Sequence, residues 1–150
     1  MNRAEVVVRP LLPGDRAPWE PLWQGYLAFY ETVLSPATTD TTWARFRDPA
    51  EPMFALGAFL NGRLVGIVHY LFHRTAWAIA NGCYLQDLFV TEAARGHGVG
   101  RALIEAVADK AREAGAARLY WHTQETNRTA QTLYDKLAEK SGFIQYRKAL

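Results

Sequence analysis

Apolar residues gather between Glu5 and Leu12, with Val6, Val7 and Val8 in succession, and predict a first strand closed by the Pro13-Gly14 turn. From Pro18 the pattern changes to helical spacing: Trp19, Leu22, Trp23, Tyr26, Leu27, Tyr30 and Val33 recur at three and four, until Ser35-Pro36 ends the run. Asp40 is placed to cap a second, shorter helix holding Trp43 and Phe46 and stopped by Asp48-Pro49. Met53 to Leu60 and Arg63 to Phe72 flank Asn61-Gly62, a strong signal for a tight hairpin. Arg74 to Gly82 reads as a wide connection into a strand over Cys83 to Val90, followed by Thr91-Glu92-Ala93-Ala94. Val99, Leu103, Val107 and Ala111 then mark one face of a helix that Gly115 ends. Arg101 and Glu105 form an attractive pair on its solvated face. A strand over Arg118 to His122, a helix over Asn127 to Ala138 and a weakly alternating strand over Gly142 to Lys148 complete the chain. The fold class is α/β, with a mixed sheet and one parallel strand–helix–strand unit.

At 150 residues the chain is long enough to bury one hydrophobic core without disulfide staples. Its single cysteine, Cys83, excludes an intrachain disulfide and favours a reducing compartment. No apolar run reaches membrane-spanning length and no signal-peptide core is present, so the expected location is cytoplasmic, with no membrane partner. The net charge of +2 gives no support to a nucleic-acid partner. Charge is uneven, however: from Arg95 onward there are ten Lys and Arg against six Asp and Glu, and before it seven against nine. That distribution suits a polyphosphate on the C-terminal side and an amine on the other.

The chemistry centres on Arg95-Gly96-His97-Gly98-Val99-Gly100, between a strand and a helix. Glycines at alternate positions let backbone N–H groups converge where the helix begins, and a helix N-terminus attracts phosphate. A tight strand-to-helix turn without a ligand is the alternative. The Walker loop requires a Lys-Ser or Lys-Thr pair that is missing here. The dinucleotide fingerprint requires Gly-x-Gly-x-x-Gly and an acidic residue about twenty positions on, where this chain has Arg118. The remaining Arg-x-x-Gly-x-Gly resembles the acetyl-CoA pyrophosphate loop of the GNAT superfamily of N-acetyltransferases.

Other landmarks extend that resemblance over nearly the whole chain: Leu85-Gln86-Asp87-Leu88-Phe89-Val90, Asn127, Ala130, Leu133-Tyr134 and Gly142-Phe143. The wording around Tyr30-Glu31, Trp43, Asp87-Leu88 and Tyr134-Asp135-Lys136 is most similar to the histone- and polyamine-acetylating branches. The resemblance implies a GNAT acyl-CoA N-acyltransferase fold, a mostly antiparallel central sheet flanked by helices, in a single domain over residues 1–150. It implies acetyl-CoA as cosubstrate, no metal, and direct acetyl transfer to a primary amine on a small molecule or peptide. A CoA-binding regulatory module without turnover is the alternative. The segment Phe143 to Tyr146 offers an edge that a homodimer could share.

On this reading the backbone N–H groups of Gly96, His97, Gly98, Val99, Gly100 and Arg101 hold the pyrophosphate, with Arg95 adding a charge-assisted contact. Leu88-Phe89-Val90 runs beside the pantetheine arm, and the Leu88 or Phe89 N–H faces the developing oxyanion. The superfamily pattern places Tyr134 beside the departing thiolate. A free tyrosine at ~10 and a thiol at ~8.5 leave full proton donation uphill by about 2 kcal/mol, so a shared hydrogen bond suffices. Asn127 either holds the cofactor's amide arm or caps its helix. Polyamine-acetylating relatives often carry a glutamate where this chain has Gln86, which leaves Asp87 as the nearest carboxylate, on the opposite strand face if alternation holds. Gln86, Tyr30 and Glu31 are the expected acceptor-side residues, with Asp40, Tyr26 and Trp43 nearby. His69 and His73 lack partners at metal-ligand spacing and read as packing or surface residues, and His122 as a lining residue of the cleft. Cys83 has no adjacent base, and a direct transfer needs no covalent carrier.

Overall fold

The computed structural model describes residues 5–150 of the chain. Strand β1, Val6–Pro10, leads through a single turn at Pro13–Asp15 into helix α1, Arg16–Phe29. The apolar stripe of α1 is buried at Trp19, Leu22, Trp23 and Leu27, as its spacing requires. The helix stops before Val33, however. Thr32 N–H donates to Leu27 O at 2.9 Å and Glu31 N–H to Ala28 O at 3.0 Å, closing the end with Glu31 in the left-handed region at φ 53°. Val33 therefore lies outside the helix and is exposed.

Helix α2 spans Pro36–Arg47. Its cap is Ser35, whose Oγ accepts from Thr38 N–H at 3.1 Å, and not Asp40. Pro36 fits the first helical position, where its missing N–H has no carbonyl to serve. Asp40 sits inside the helix and pairs with Arg16 at 2.7 Å.

Strands β2, Met53–Leu60, and β3, Arg63–His73, form the expected hairpin, with Asn61 and Gly62 both at positive φ. Strand β4, Gly82–Val90, pairs antiparallel with β3. Helix α3, Val99–Glu113, returns the chain to β5, Arg118–Tyr120, which pairs parallel with β4. Helix α4, Arg128–Leu137, follows. The sheet runs in the order β1-β2-β3-β4-β5, antiparallel except at its last pair.

Hydrophobic clusters cover the sheet on both faces. Leu103, Val107 and Ala111 of α3 pack with Leu56, Val68, Cys83 and Leu85, and Leu133, Tyr134 and Leu137 of α4 join that side. Trp19, Leu22, Trp23 and Leu27 of α1 pack with Trp43 of α2 and with Ala55, Leu64 and Ile67 of the sheet. Full burial of a large aliphatic side chain such as Leu103 contributes roughly 1.5–3 kcal/mol. Gly66 of β3 permits the closest approach: a Cβ there would lie 2.9 Å from Val99 Cγ1 and 3.0 Å from Leu103 Cδ1. The first turns of α3 are thereby seated directly on the sheet.

The expected last strand over Gly142 to Lys148 does not form. Residues 139–150 adopt neither helix nor strand and leave Phe143, Ile144 and Tyr146 exposed. Adjacent Phe143 and Ile144 break the alternation that would give one apolar face, and β5 offers an edge of only three residues.

Candidate functional site

β4 pairs with β5 only over Gly82–Tyr84, and from Leu85 to Val90 its outer edge has no strand beside it. Beyond the end of β5 at Tyr120 lies a cleft of about 790 Å³, bordered by α4 on one side and by the C-terminal turn of α1 on the other. An unpaired strand edge presents backbone N–H and C=O groups that an extended ligand arm can satisfy. Leu88, Phe89 and Val90 line this edge, as expected.

The glycine loop closes one end of the cleft. Gly96 and Gly98 stand at φ 82° and 78°, in the left-handed region where a side chain would add strain, and Gly98 is the N-cap of α3. The first bond back along the helix is Ala102 N–H to Gly98 O at 3.0 Å, so the amides of Val99, Gly100 and Arg101 have no intrahelical carbonyl. With the positive end of a 15-residue helix behind them, these donors form a fitting cradle for a pyrophosphate. Arg95, Gly96, Gly98, Val99, Gly100 and Arg101 all border the cleft. Arg95 Nε donates to Val90 O at 3.1 Å, which ties the loop to the end of β4. His97 does not join them: it is exposed and borders a separate cavity of about 990 Å³ between α1 and the β2–β3 turn. That larger cavity lacks the cradle glycines and Tyr134, so the smaller one is the better candidate.

Tyr134 borders the cleft from α4 beside Trp121, with ring centroids 5.5 Å apart. Burial, then the neighbouring Tyr30 phenol, pushes its hydroxyl above the ordinary tyrosine value, so the proton stays on the oxygen. Asn127 lines the cleft and also caps α4, its Oδ1 accepting from Ala130 N–H at 3.2 Å. Helix capping and a place on the cleft wall are thus compatible in one residue.

The end of the cleft toward α1, where the acceptor is expected, holds Tyr26, Phe29, Tyr30 and Gln86. Glu31 is not part of it, because it occupies the left-handed cap of α1 and is exposed. Between β3 and β4 the register slips: His69 faces Asp87 and Tyr70 faces Leu85, leaving Gln86 as the extra residue of a bulge. The bulge interrupts alternation and turns Asp87 toward the α1 face, where His69 Nδ1 meets its Oδ2 at 3.0 Å. Asp87 does not itself border the cleft, but after burial its charge helps to push the hydroxyls of Tyr26, Tyr30 and Tyr84 upward, and the Tyr26 hydroxyl also reaches it. His122 borders the cleft, and its Nδ1 lies 3.1 Å from the Tyr84 hydroxyl.

An open strand edge with an anion cradle beside it suits an acyl-CoA donor. Residues 19–138 match the family model described as Acetyltransferase (GNAT) family. The chain belongs to the GNAT acetyltransferase family. It is 41% identical over 150 residues to the D-amino-acid N-acetyltransferase HPA3 of Saccharomyces cerevisiae, covering 99% of this chain and 93% of that one. Among solved structures, a ribosomal-protein-alanine N-acetyltransferase from Brucella melitensis biovar Abortus superposes with a TM-score of 0.81 at 23% identity, covering 97% of this chain and 99% of that one. An aminoglycoside acetyltransferase from an uncultured soil metagenomic sample, in complex with sisomicin, gives 0.79 at 17% identity with 97% of each chain covered. These likenesses establish the fold, and the differing acceptors in their names show that the fold does not choose one.

The GNAT acetyltransferase thus gathers most of the residues read from its sequence: Tyr30, Gln86, Leu88, Phe89, Val90, Arg95, Gly96, Gly98, Val99, Gly100, Arg101, Asn127 and Tyr134 share one cleft. From the sequence alone His69 reads as a packing or surface residue, and its partnership with Asp87 depends on a register slip that no local pattern announces. Trp121 and Phe29 also line the cleft without a signal in the sequence: one falls inside the expected strand Arg118 to His122 and the other inside the expected first helix. Among the described residues no group of three or more His, Cys, Asp or Glu is placed to hold a metal, and no helix is long and apolar enough to cross a membrane.

Proposed function

We propose that this chain transfers the acetyl group of acetyl-CoA to a primary amine of a small molecule by direct attack within a ternary complex, with amino acids the first acceptors to examine. The observation that carries the reading is the single cleft shared by the amides of α3, the open edge of β4 and the hydroxyl of Tyr134. The name of the yeast relative supports an amino acid as acceptor.

Acetyl-CoA, when bound, supplies an acetyl group activated as a thioester. Val99, Gly100 and Arg101 hold its pyrophosphate through backbone amides, Arg95 adds charge, and Asn127 faces the arm. The free edge of β4 at Leu88 or Phe89 offers an N–H donor to the acetyl carbonyl oxygen, where negative charge grows as the amine attacks. The amine nitrogen forms its bond to the acetyl carbon while the carbon–sulfur bond breaks. One proton leaves the incoming ammonium toward Asp87 and solvent, and a second passes from nitrogen to the departing sulfur beside the Tyr134 hydroxyl. The first loss is easier for an α-amino group, near pKa ~8, than for a lysine-like amine near ~10.4. That difference favours an amino acid for a site whose carboxylate stands behind its wall.

Calorimetry with acetyl-CoA, followed by release of free CoA across a panel of D- and L-amino acids, spermidine, sisomicin and a lysine peptide, tests the reading. Gly98→Glu, which places bulk and negative charge in the cradle, should abolish acetyl-CoA binding. Unchanged binding in that variant, or no turnover of any panel amine, would reject it.

A further inference from the structure

His69 is buried, at 2% exposure, among the rings of Trp19, Trp23 and Phe46, yet both its nitrogens are engaged. Trp19 Nε1 lies 3.1 Å from Nε2, and an indole N–H can only donate. Nε2 is therefore the acceptor and the ring proton sits on Nδ1, directed at Asp87 Oδ2 at 3.0 Å. Asp87 is the end of a one-way chain: indole to imidazole to carboxylate.

The carboxylate itself is unusually placed. Its side chain is only 15% exposed, and among the described residues no Lys or Arg pairs with it, His69 being its one ion-pair neighbour. A largely buried carboxylate without a cation is costly, and proteins retain one where a ligand supplies the missing charge. Around it stand the phenols of Tyr26, Tyr30 and Tyr84, whose faces and hydroxyls suit an ammonium group. Tyr26 and Tyr30 also line the cleft, so they connect the carboxylate to the acceptor side. The bulge at Gln86 is what turns Asp87 there.

We propose that Trp19 and His69 are positioning residues that fix the Asp87 carboxylate behind Tyr26 and Tyr30 as the anchor for the acceptor's ammonium nitrogen. The inference rests on the acetyl-transfer reading above and adds to it the means by which the acceptor is held. His69 touches neither donor nor acceptor. It acts by holding Oδ2, and with the Tyr26 hydroxyl, which also reaches the carboxylate, it sets the orientation in which Asp87 meets the incoming amine.

The test compares the wild-type protein with Asp87→Asn, His69→Leu and His69→Asn, measuring acetyl-CoA Kd by calorimetry and kcat and KM for the best amine of the panel. An Asn amide places a donor where Nδ1 stands, whereas Leu offers none. Loss of a hydrogen bond to a charged group is worth about tenfold or more, so Asp87→Asn and His69→Leu should raise the amine KM by at least that factor while acetyl-CoA Kd stays within about twofold. His69→Asn should restore the KM to within about threefold of wild type. Equal losses in the two His69 variants, or losses confined to acetyl-CoA binding, would overturn the proposal. Should no panel amine turn over, the acetyl-transfer reading fails, and the chain is then judged by proton–nitrogen correlation NMR of the histidine rings. The expected result is a His69 proton on Nδ1 whose signal moves when ethylammonium is added to the wild-type protein and stays still in Asp87→Asn. A proton on Nε2, or no movement in the wild-type protein, overturns it.

Discussion

Replacing Gly66 by alanine sets two effects of opposite sign against each other. Removing a glycine from a strand interior stabilises the fold by roughly 0.5–1 kcal/mol, because the unfolded chain loses freedom. Against this, the new Cβ would lie 2.9 Å from Val99 Cγ1, 3.0 Å from Leu103 Cδ1 and 3.4 Å from the Phe89 carbonyl oxygen. Val99 and Leu103 are 2% and 0% exposed, so neither side chain has space to swing away. Relief requires the start of α3 to lift off β3 by a few tenths of an ångström, and overpacking of this kind costs about 1–3 kcal/mol. The steric effect wins at the centre of these ranges, with a net loss of about 1 kcal/mol and a fall in Tm of roughly 2–4 °C in thermal unfolding. The same displacement moves the amides of Val99, Gly100 and Arg101, so calorimetry should show weaker acetyl-CoA binding as well. Gly100→Ala is the contrast: its Cβ would meet Leu133 and Leu88 at 3.8 and 3.9 Å, ordinary contacts, and its gain in helix propensity should raise stability by up to ~1 kcal/mol. A Gly66→Ala protein with unchanged or higher Tm would refute the account of how the cradle is seated.

Tyr134→Phe should lower kcat about ten- to a hundredfold with acetyl-CoA affinity nearly unchanged, and since burial raises the phenol, the wild-type rate should show no fall from loss of its proton below pH ~10. Burial pushes the Cys83 thiol up to about 11 and the Tyr70 hydroxyl up to about 12, so the folded form binds protons that the unfolded form has already released. Stability is therefore full below pH ~9 and falls as pH rises through 11, with Cys83 contributing about 2–3 kcal/mol, and urea titrations of Cys83→Ala should show a smaller alkaline loss. Ser35→Ala removes the cap of α2 and should cost about 1 kcal/mol in urea unfolding, whereas Asp40→Ala, which breaks only an exposed pair with Arg16, should cost less.

Features governed by neighbours in the sequence were legible in it. The spacing of Val99, Leu103, Val107 and Ala111 defines the buried face of α3, and Asn61-Gly62 defines the hairpin turn. The alternate glycines define the loop, because their conformational demand is local. Features governed by distant pairing were not. Strict alternation separates Gln86 from Asp87, but the slip between β3 and β4 makes Gln86 a bulge and brings Asp87 to His69, 18 positions away in the chain. Glu31 reads as a helix residue near the acceptor, yet it takes the left-handed cap usually left to glycine. The C-terminal apolar residues resemble a strand but find no edge long enough to pair with.

The two hydrophobic clusters lie on opposite faces of the sheet, one beneath α3 and α4 and the other beneath α1 and α2. On the proposed acetyl-transfer reading, donor-holding and acceptor-shaping residues are thereby divided between separately packed halves that meet mainly along β4. Substitutions in one half should combine almost additively with those in the other. Acceptor preference can therefore drift through the aromatic residues of α1 while the pyrophosphate cradle keeps its shape, and residues Leu85 to Val90 form the seam at which that independence ends.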